Sequence, residues 1–287
     1  MDIPSFDLGS QGPLLHFLHA NGYPPGCYKP LFERLQSHYH VYGMLLRPLW
    51  KDSNPKEVRT WKLFSDDLLQ FLALNAAEPA IGVGHSIGAV VTLRAALREP
   101  HRFRALVLID PVLFVPGFLF RWHVVRSLGL GDRLHPLIPG AKKRRRTFDD
   151  LERLFERYRS RTIFRYMSDK NLRIFIEGIT RPRADSGYEL VYSPDWEAQI
   201  YRTGMHDFDI WRELPKLQMP TLFIRGAETD TFLEDAAKLV KQKQPHVRVE
   251  TLEKSTHILP LERPQEVFDI MQLFLNETLK VSQTFRV

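Results

Sequence analysis

The sequence predicts an α/β fold: a mostly parallel sheet flanked by helices, with an inserted, mainly helical cap. Three observations lead there. Short apolar runs without polar alternation, above all residues 80–84 and 105–109, have the composition of strands buried on both faces of a parallel sheet. Runs of this kind alternate with helical patterns in the first and last parts of the chain, as strand–helix–strand units require. Between Asp110 and about Glu213 the alternation stops, and amphipathic helical segments take over.

In order, the run Leu14-Leu15-His16-Phe17-Leu18 reads as a buried strand, ended by the loop formers His19-Ala20-Asn21-Gly22-Tyr23-Pro24-Pro25-Gly26. A helix over residues 29–37 follows, then a strand over 40–46. Trp61, Phe64, Leu68 and Leu72 give residues 58–74 a helical apolar face that delivers the chain to the strand at 80–85. A helix from Ile87 to about Arg98 and a strand over 105–110 come next. In the central stretch, residues 149–158 and 169–179 are amphipathic helices, the second presenting Leu172, Phe175, Ile176 and Ile179, and no convincing buried strand is visible. Strand 221–226, helix 235–243 and strand 248–252 resume the alternation, and Pro264 opens a last helix with Val267, Ile270, Met271, Phe274 and Leu275 inward. The expected division is a core of residues 1–110 and 214–287 and a cap of residues 111–213 over the C-terminal strand ends, where ligands bind in such sheets.

Bulk properties exclude several classes. The first residues carry Asp2 and Asp7 and no basic, apolar leader, and no apolar run reaches the roughly twenty residues of a membrane helix. Cys27 is the single cysteine, so neither an intramolecular disulfide nor a four-cysteine metal site is available, and a cytoplasmic location is expected. The net charge of +6 is densest at Lys142-Lys143-Arg144-Arg145-Arg146. That run reads first as a solvated loop and second as a docking patch for anionic lipid or another acidic partner. No helix-turn-helix, zinc spacing or RNA-binding aromatic signature accompanies it, so nucleic acid is not an expected partner.

The chemistry centres on Gly84-His85-Ser86-Ile87-Gly88, where an apolar strand opens into a helix rich in small residues. This reads as a nucleophile elbow: a serine on a strained strand-to-helix turn, flanked two positions either side by glycines because a Cβ there would strike neighbouring backbone. A dinucleotide-binding turn, Gly82-x-Gly84-x-x-x-Gly88 with Asp110 beyond the next strand, is the competing reading, and it leaves Ser86 without a role. A serine hydroxyl needs a base, and the base needs an orienting acid. His257 follows the last strand and Asp230 follows the one before it, giving the order Ser86, Asp230, His257 with each just past a strand end. Asp110 is the rival for the acid and Glu228 a third choice, with Asp110-Pro111 also readable as a simple strand-ending turn. His19 and His85 are expected to pack and hold their loops rather than act as bases.

With these residues in place, the chain resembles the capped α/β-hydrolases, the superfamily of esterases, lipases and related hydrolases, over almost its full length. His19-Ala20-Asn21-Gly22 resembles the His-Gly oxyanion loop of that superfamily, with Ala20 where glycine is usual. The resemblance implies that the backbone N–H groups of Asn21 and Ile87 hold the oxyanion and that no metal or organic cofactor takes part. A serine at the elbow speaks against haloalkane dehalogenase and epoxide hydrolase chemistry, which use aspartate there. The expected activity is cleavage of a carboxylic ester, with carbon–carbon bond hydrolysis, acyl transfer, perhydrolysis or slow ligand-binding signalling as alternatives. The run Phe114-Val115-Pro116-Gly117-Phe118-Leu119-Phe120-Arg121-Trp122 could line an acyl tunnel, rest on lipid or form the cap's own core. Together with Trp196, Tyr201 and Trp211 it points to a small, hydrophobic acyl or aryl ester as substrate.

Overall fold

The computed structural model describes residues 3–284. The first half of the chain gives β1 (Ser5–Asp7), β2 (Leu14–Leu18), α1 (Lys29–Leu35), β3 (His40–Met44), α2 (Lys62–Asn75), β4 (Ala80–His85), α3 (Ile87–Arg98) and β5 (Phe103–Ile109). An inserted segment follows, with α4 (Pro116–Ser127), α5 (Gly131–Leu134), α6 (Ile138–Lys142), β6 (Thr147–Phe148), α7 (Leu151–Arg159), α8 (Asp169–Ile179), β7 (Thr180–Pro182), β8 (Tyr188–Leu190), α9 (Pro194–Thr203) and α10 (Phe208–Glu213). The chain then returns through β9 (Thr221–Gly226), α11 (Glu234–Lys243), β10 (Arg248–Leu252), α12 (Leu259–Glu262) and α13 (Pro264–Thr284).

Seven strands form one sheet in the order β1-β3-β2-β4-β5-β9-β10, parallel throughout except for the antiparallel edge pair β1–β3. The central strands explain the continuous apolar runs. Every residue of β4 is buried. In β5, Leu106 and Leu108 join the core on one face of the sheet while Ala105, Val107 and Ile109 join the core on the other, so the two-residue period of a strand splits one apolar run between two helical layers. Such a strand cannot alternate with polar residues without burying an unpaired polar group.

Register then decides which residues meet. His85 is paired with Ile109, and Ile109 with Ile224, so the residues one step beyond, Ser86 and Asp110, emerge side by side at the same end of the sheet. The inserted segment closes over that end. Asn21, just past β2, donates its side-chain N–H to the carbonyl of Glu197 on α9 at 3.2 Å, and Tyr23 sets its ring edge against Phe175 of α8 at 5.4 Å. Arg94, buried on α3, pairs with Asp207 and Asp209 at the start of α10 and ties the elbow helix to the end of the insertion. The insertion is not wholly helical: β6, β8 and β7 form a small antiparallel sheet that the sequence reading did not foresee, because strands of two and three residues are too short to show a period.

Candidate active site

Ser86 stands at φ 60 and ψ −121, a conformation that costs energy for any residue with a side chain, and it is held there by its N–H bond to Ile109 O at 3.0 Å. The two flanking glycines make the turn possible. A Cβ on Gly84 would stand 2.4 Å from the Gly88 backbone, and one on Gly88 would stand 2.1 Å from Leu18 O. The same close approach presses the start of α3 against the end of β2, so the loop from His19 to Gly22 lies beside the elbow. Ile87 is the first residue of α3, where a backbone N–H has no carbonyl four residues earlier to bond and faces outward with the positive end of the helix.

His257 bridges the serine to an acid. Its Nε2 lies 2.9 Å from Ser86 Oγ and its Nδ1 lies 2.7 Å from Asp110 Oδ2. A carboxylate oxygen that accepts from the Nδ1–H of the ring leaves Nε2 to accept from the serine hydroxyl. The carboxylate that His257 meets is therefore Asp110, where the sequence led to the expectation of Asp230. Asp230 is exposed, four residues past the end of β9, while Asp110 is fully buried at the end of β5 with a φ of 40. The loop after β9 contributes donors instead of the acid: Gly226 N–H bonds Asp110 Oδ1 at 3.0 Å, and the Thr229 and Thr231 hydroxyls bond Oδ2, the latter at 2.9 Å. Glu228 points away into an exposed cluster with Arg165 and Tyr166. Asp110 thus takes its place through the histidine, and the glycines of the rival dinucleotide reading are accounted for by packing.

The neighbouring histidines hold loops, as expected of them. His19 spans two backbone segments, with Nδ1 2.9 Å from Ala20 O and Nε2 3.1 Å from the Leu46 N–H. His85 faces the His257 carbonyl through Nε2 at 2.8 Å and accepts the Tyr28 hydroxyl at Nδ1 at 2.7 Å. Burial pushes its pKa well below the usual histidine range, helped by the nearby His257, so it is neutral and can accept that bond. Tyr28 Oη in turn accepts the Ala20 N–H at 3.1 Å. One chain of bonds therefore runs from the oxyanion-type loop through Tyr28 and His85 to the backbone of His257. The far side of the His257 loop is fixed by Glu262, whose carboxylate accepts both the N–H and the hydroxyl of Thr256 at 2.8 Å each. Neither Tyr28 nor Glu262 carries a motif in the sequence; only their burial beside the loops singles them out.

Leu113 N–H bonds Thr231 O at 3.3 Å, which starts the aromatic stretch of the insertion next to His257, with Phe114 and Phe118 stacked 4.5 Å apart. Over the loop at Gly22 stand the Arg144 guanidinium and the Glu197 carboxylate, paired at 2.8 Å. Burial works against the charge on Arg144, and the Glu197 carboxylate outweighs it and keeps the guanidinium protonated.

Fold and constellation together define a hydrolase of the α/β type. The chain belongs to the alpha/beta hydrolase family, whose model matches residues 17–270. It is similar to (E)-2-((N-methylformamido)methylene)succinate hydrolase of Acinetobacter baylyi, with 19% identity over 95% of this chain and 94% of that protein. Epoxide hydrolase 3 of Mus musculus is 23% identical over 93% of this chain and 72% of its own. Among solved structures, E-2-(acetamidomethylene)succinate hydrolase superposes with a TM-score of 0.74 at 21% identity, covering 95% of this chain and 94% of that one. No helix among the described residues is long and apolar enough to cross a membrane.

Proposed function

We propose that this hydrolase is a serine enzyme that cleaves a carboxylic ester of a small molecule through an acyl-enzyme on Ser86. The observation that carries the proposal is His257, hydrogen-bonded on one side to Ser86 Oγ and on the other to a buried carboxylate. Ser86 Oγ attacks the acyl carbon and its proton passes to His257 Nε2, the resulting imidazolium being stabilised by Asp110. The Asn21 and Ile87 N–H groups receive the oxyanion. Collapse breaks the ester C–O bond and His257 returns the proton to the leaving alcohol. Water, deprotonated by His257, then attacks the acyl carbon, releases the acid and restores Ser86. The stacked Phe114 and Phe118, which follow Leu113 and its bond to the Thr231 backbone, favour a hydrophobic acyl or aryl group, and a cytoplasmic site of action fits the single, buried Cys27.

Labelling with a small fluorophosphonate, read by intact mass and peptide mapping, tests the reading. A stoichiometric adduct on Ser86, absent in Ser86→Ala, supports it, and a folded wild type that takes no adduct overturns it. A second reading, favoured by Arg144 above the Gly22 loop, is an acyl or amide substrate bearing a carboxylate, as the succinate derivatives named for the relatives do. Turnover of carboxylate-bearing amides that is lost in Arg144→Met, with neutral esters left uncleaved by the wild type, would replace the hydrophobic ester with that class.

A further inference from the structure

The positive charge of this protein and much of its exposed apolar surface lie in one stretch of the insertion. Residues 111–148 hold eight of the 40 basic residues and one of the 34 acidic ones, so the remaining 249 residues, with 32 basic and 33 acidic, are close to neutral. Of the eleven large hydrophobic side chains exposed among the described residues, six lie in the same stretch: Phe120, Val124, Leu128, Leu130, Leu134 and Leu137. The sequence allowed residues 114–122 to be the cap's own core, yet in α4 only Leu119 is buried, and Phe120 and Leu128 are 64% and 68% exposed. Phe120, Val124 and Leu128 recur every four residues and form one stripe along the helix. Lys142 and Arg145 reach Asp132 and Asp149, whereas among the described residues Arg121, Arg133, Lys143 and Arg146 have no carboxylate within ion-pair distance.

A helix that turns Phe120, Val124 and Leu128 to water beside unpaired positive charge has the composition of an interaction surface. We infer that α4, α5 and the basic run after them form a docking surface for an anionic lipid bilayer. Phe120, Leu128 and their neighbours enter the boundary between headgroups and acyl chains, and the exposed arginines and lysines meet lipid phosphates and carboxylates. Charge selects this occupant over others. A second copy would bring two strongly positive stretches face to face, and nucleic acid would leave the apolar stripe in water. Since α4 begins six residues after Asp110, docking sets the bilayer beside the part of the insertion that borders the active site.

Sedimentation of the full chain with vesicles tests the inference, independently of any activity. Binding to vesicles of phosphatidylcholine with phosphatidylserine is expected, with at least tenfold weaker binding to phosphatidylcholine alone and a steep loss as salt is raised. Phe120→Ser with Leu128→Ser, and separately Lys143→Glu with Arg146→Glu, should each weaken binding at least tenfold while the thermal midpoint stays that of the wild type. These side chains are exposed, so folding is not at stake, and the lipid and salt dependence of the wild type gives a second readout. No binding to the anionic vesicles, equal binding to both lipids, or binding indifferent to both double variants overturns the inference. Self-association that Leu128→Ser abolishes, without vesicle binding, would assign the face to a second copy instead.

Discussion

The loops after β5 and β9 start alike and end differently. Each leaves the C-terminal end of a central parallel strand and each carries an aspartate, Asp110 in the first and Asp230 in the second. Asp110 is fully buried and accepts from Gly226 N–H, two threonine hydroxyls and His257, while Asp230 is exposed. A carboxylate can be buried in its charged form only where donors satisfy it. The loop after β9 supplies those donors, so the carboxylate that meets His257 is the aspartate that the other loop solvates rather than one of its own.

The sharpest way to break this comparison is to neutralise each aspartate in turn. Asp110→Asn removes the charge that fixes the His257 tautomer and should lower kcat about 10⁴-fold. Asp230→Asn should leave kcat within about twofold, as an exposed side chain outside any network does. Stopped-flow acylation with an activated ester reads both, and the reverse pattern would return the role to Asp230.

Acid titration extends the contrast between buried and exposed groups. Burial lowers the pKa of His16 to about 3 and that of His19 to about 4, both on or just after β2. The unfolded chain takes up their protons near pH 6.5 and the folded protein does not, so their neutral forms favour folding above pH 6.5 and that advantage is lost as pH falls toward the folded values. At pH 5 each costs about 2 kcal/mol, or about 4 kcal/mol for the pair. Urea unfolding at pH 7 and pH 5 measures the loss, and in His16→Gln the slope with pH should shrink by up to one proton.

Much of the fold could be read ahead of the structure because its signals are local. The elbow needs small residues at fixed offsets from one serine, and a strand buried on both faces must be apolar throughout, so β4, α3, β9 and β10 fall where the pattern places them. The choice of acid could not be read, because it depends on donors 116 to 121 residues away in the chain, brought to Asp110 by strand order. Tyr28 was equally hidden: a buried tyrosine in a Pro-Gly loop reads as packing until His85 and Ala20 are seen at its hydroxyl. The role of the apolar run that opens α4 stayed open for a related reason, since an apolar helix in the sequence does not say whether anything in the same chain covers it.

Tyr28→Phe asks whether the loop at Ala20 and the loop at His257 are held as one unit. Removing the hydroxyl strands the Ala20 N–H and His85 Nδ1, both buried, at a cost of about 2 kcal/mol. The denaturation midpoint should fall accordingly. If the network positions the site as well as stabilising it, kcat should fall about tenfold at unchanged KM; a loss of stability alone would restrict Tyr28 to the fold.

Thr231→Val is the mildest and most specific test of the donor loop. The Thr231 hydroxyl lies 2.9 Å from Asp110 Oδ2 and 2.8 Å from His257 Nδ1, so it can give its proton to the carboxylate and its lone pair to the imidazole proton. Valine keeps the branched shape and removes both contacts, while Gly226 N–H and the Thr229 hydroxyl still hold Asp110. A net hydrogen bond to a charged group is worth about 1.5 to 3 kcal/mol, and the donors that remain recover part of it. Acylation should therefore slow about fivefold with KM unchanged. A loss as large as that of Asp110→Asn would mean that Thr231 is what places the carboxylate, and no loss at all would mean that Gly226 and Thr229 suffice, so the ratio of the two rates measures how the work of solvating Asp110 is divided within one loop.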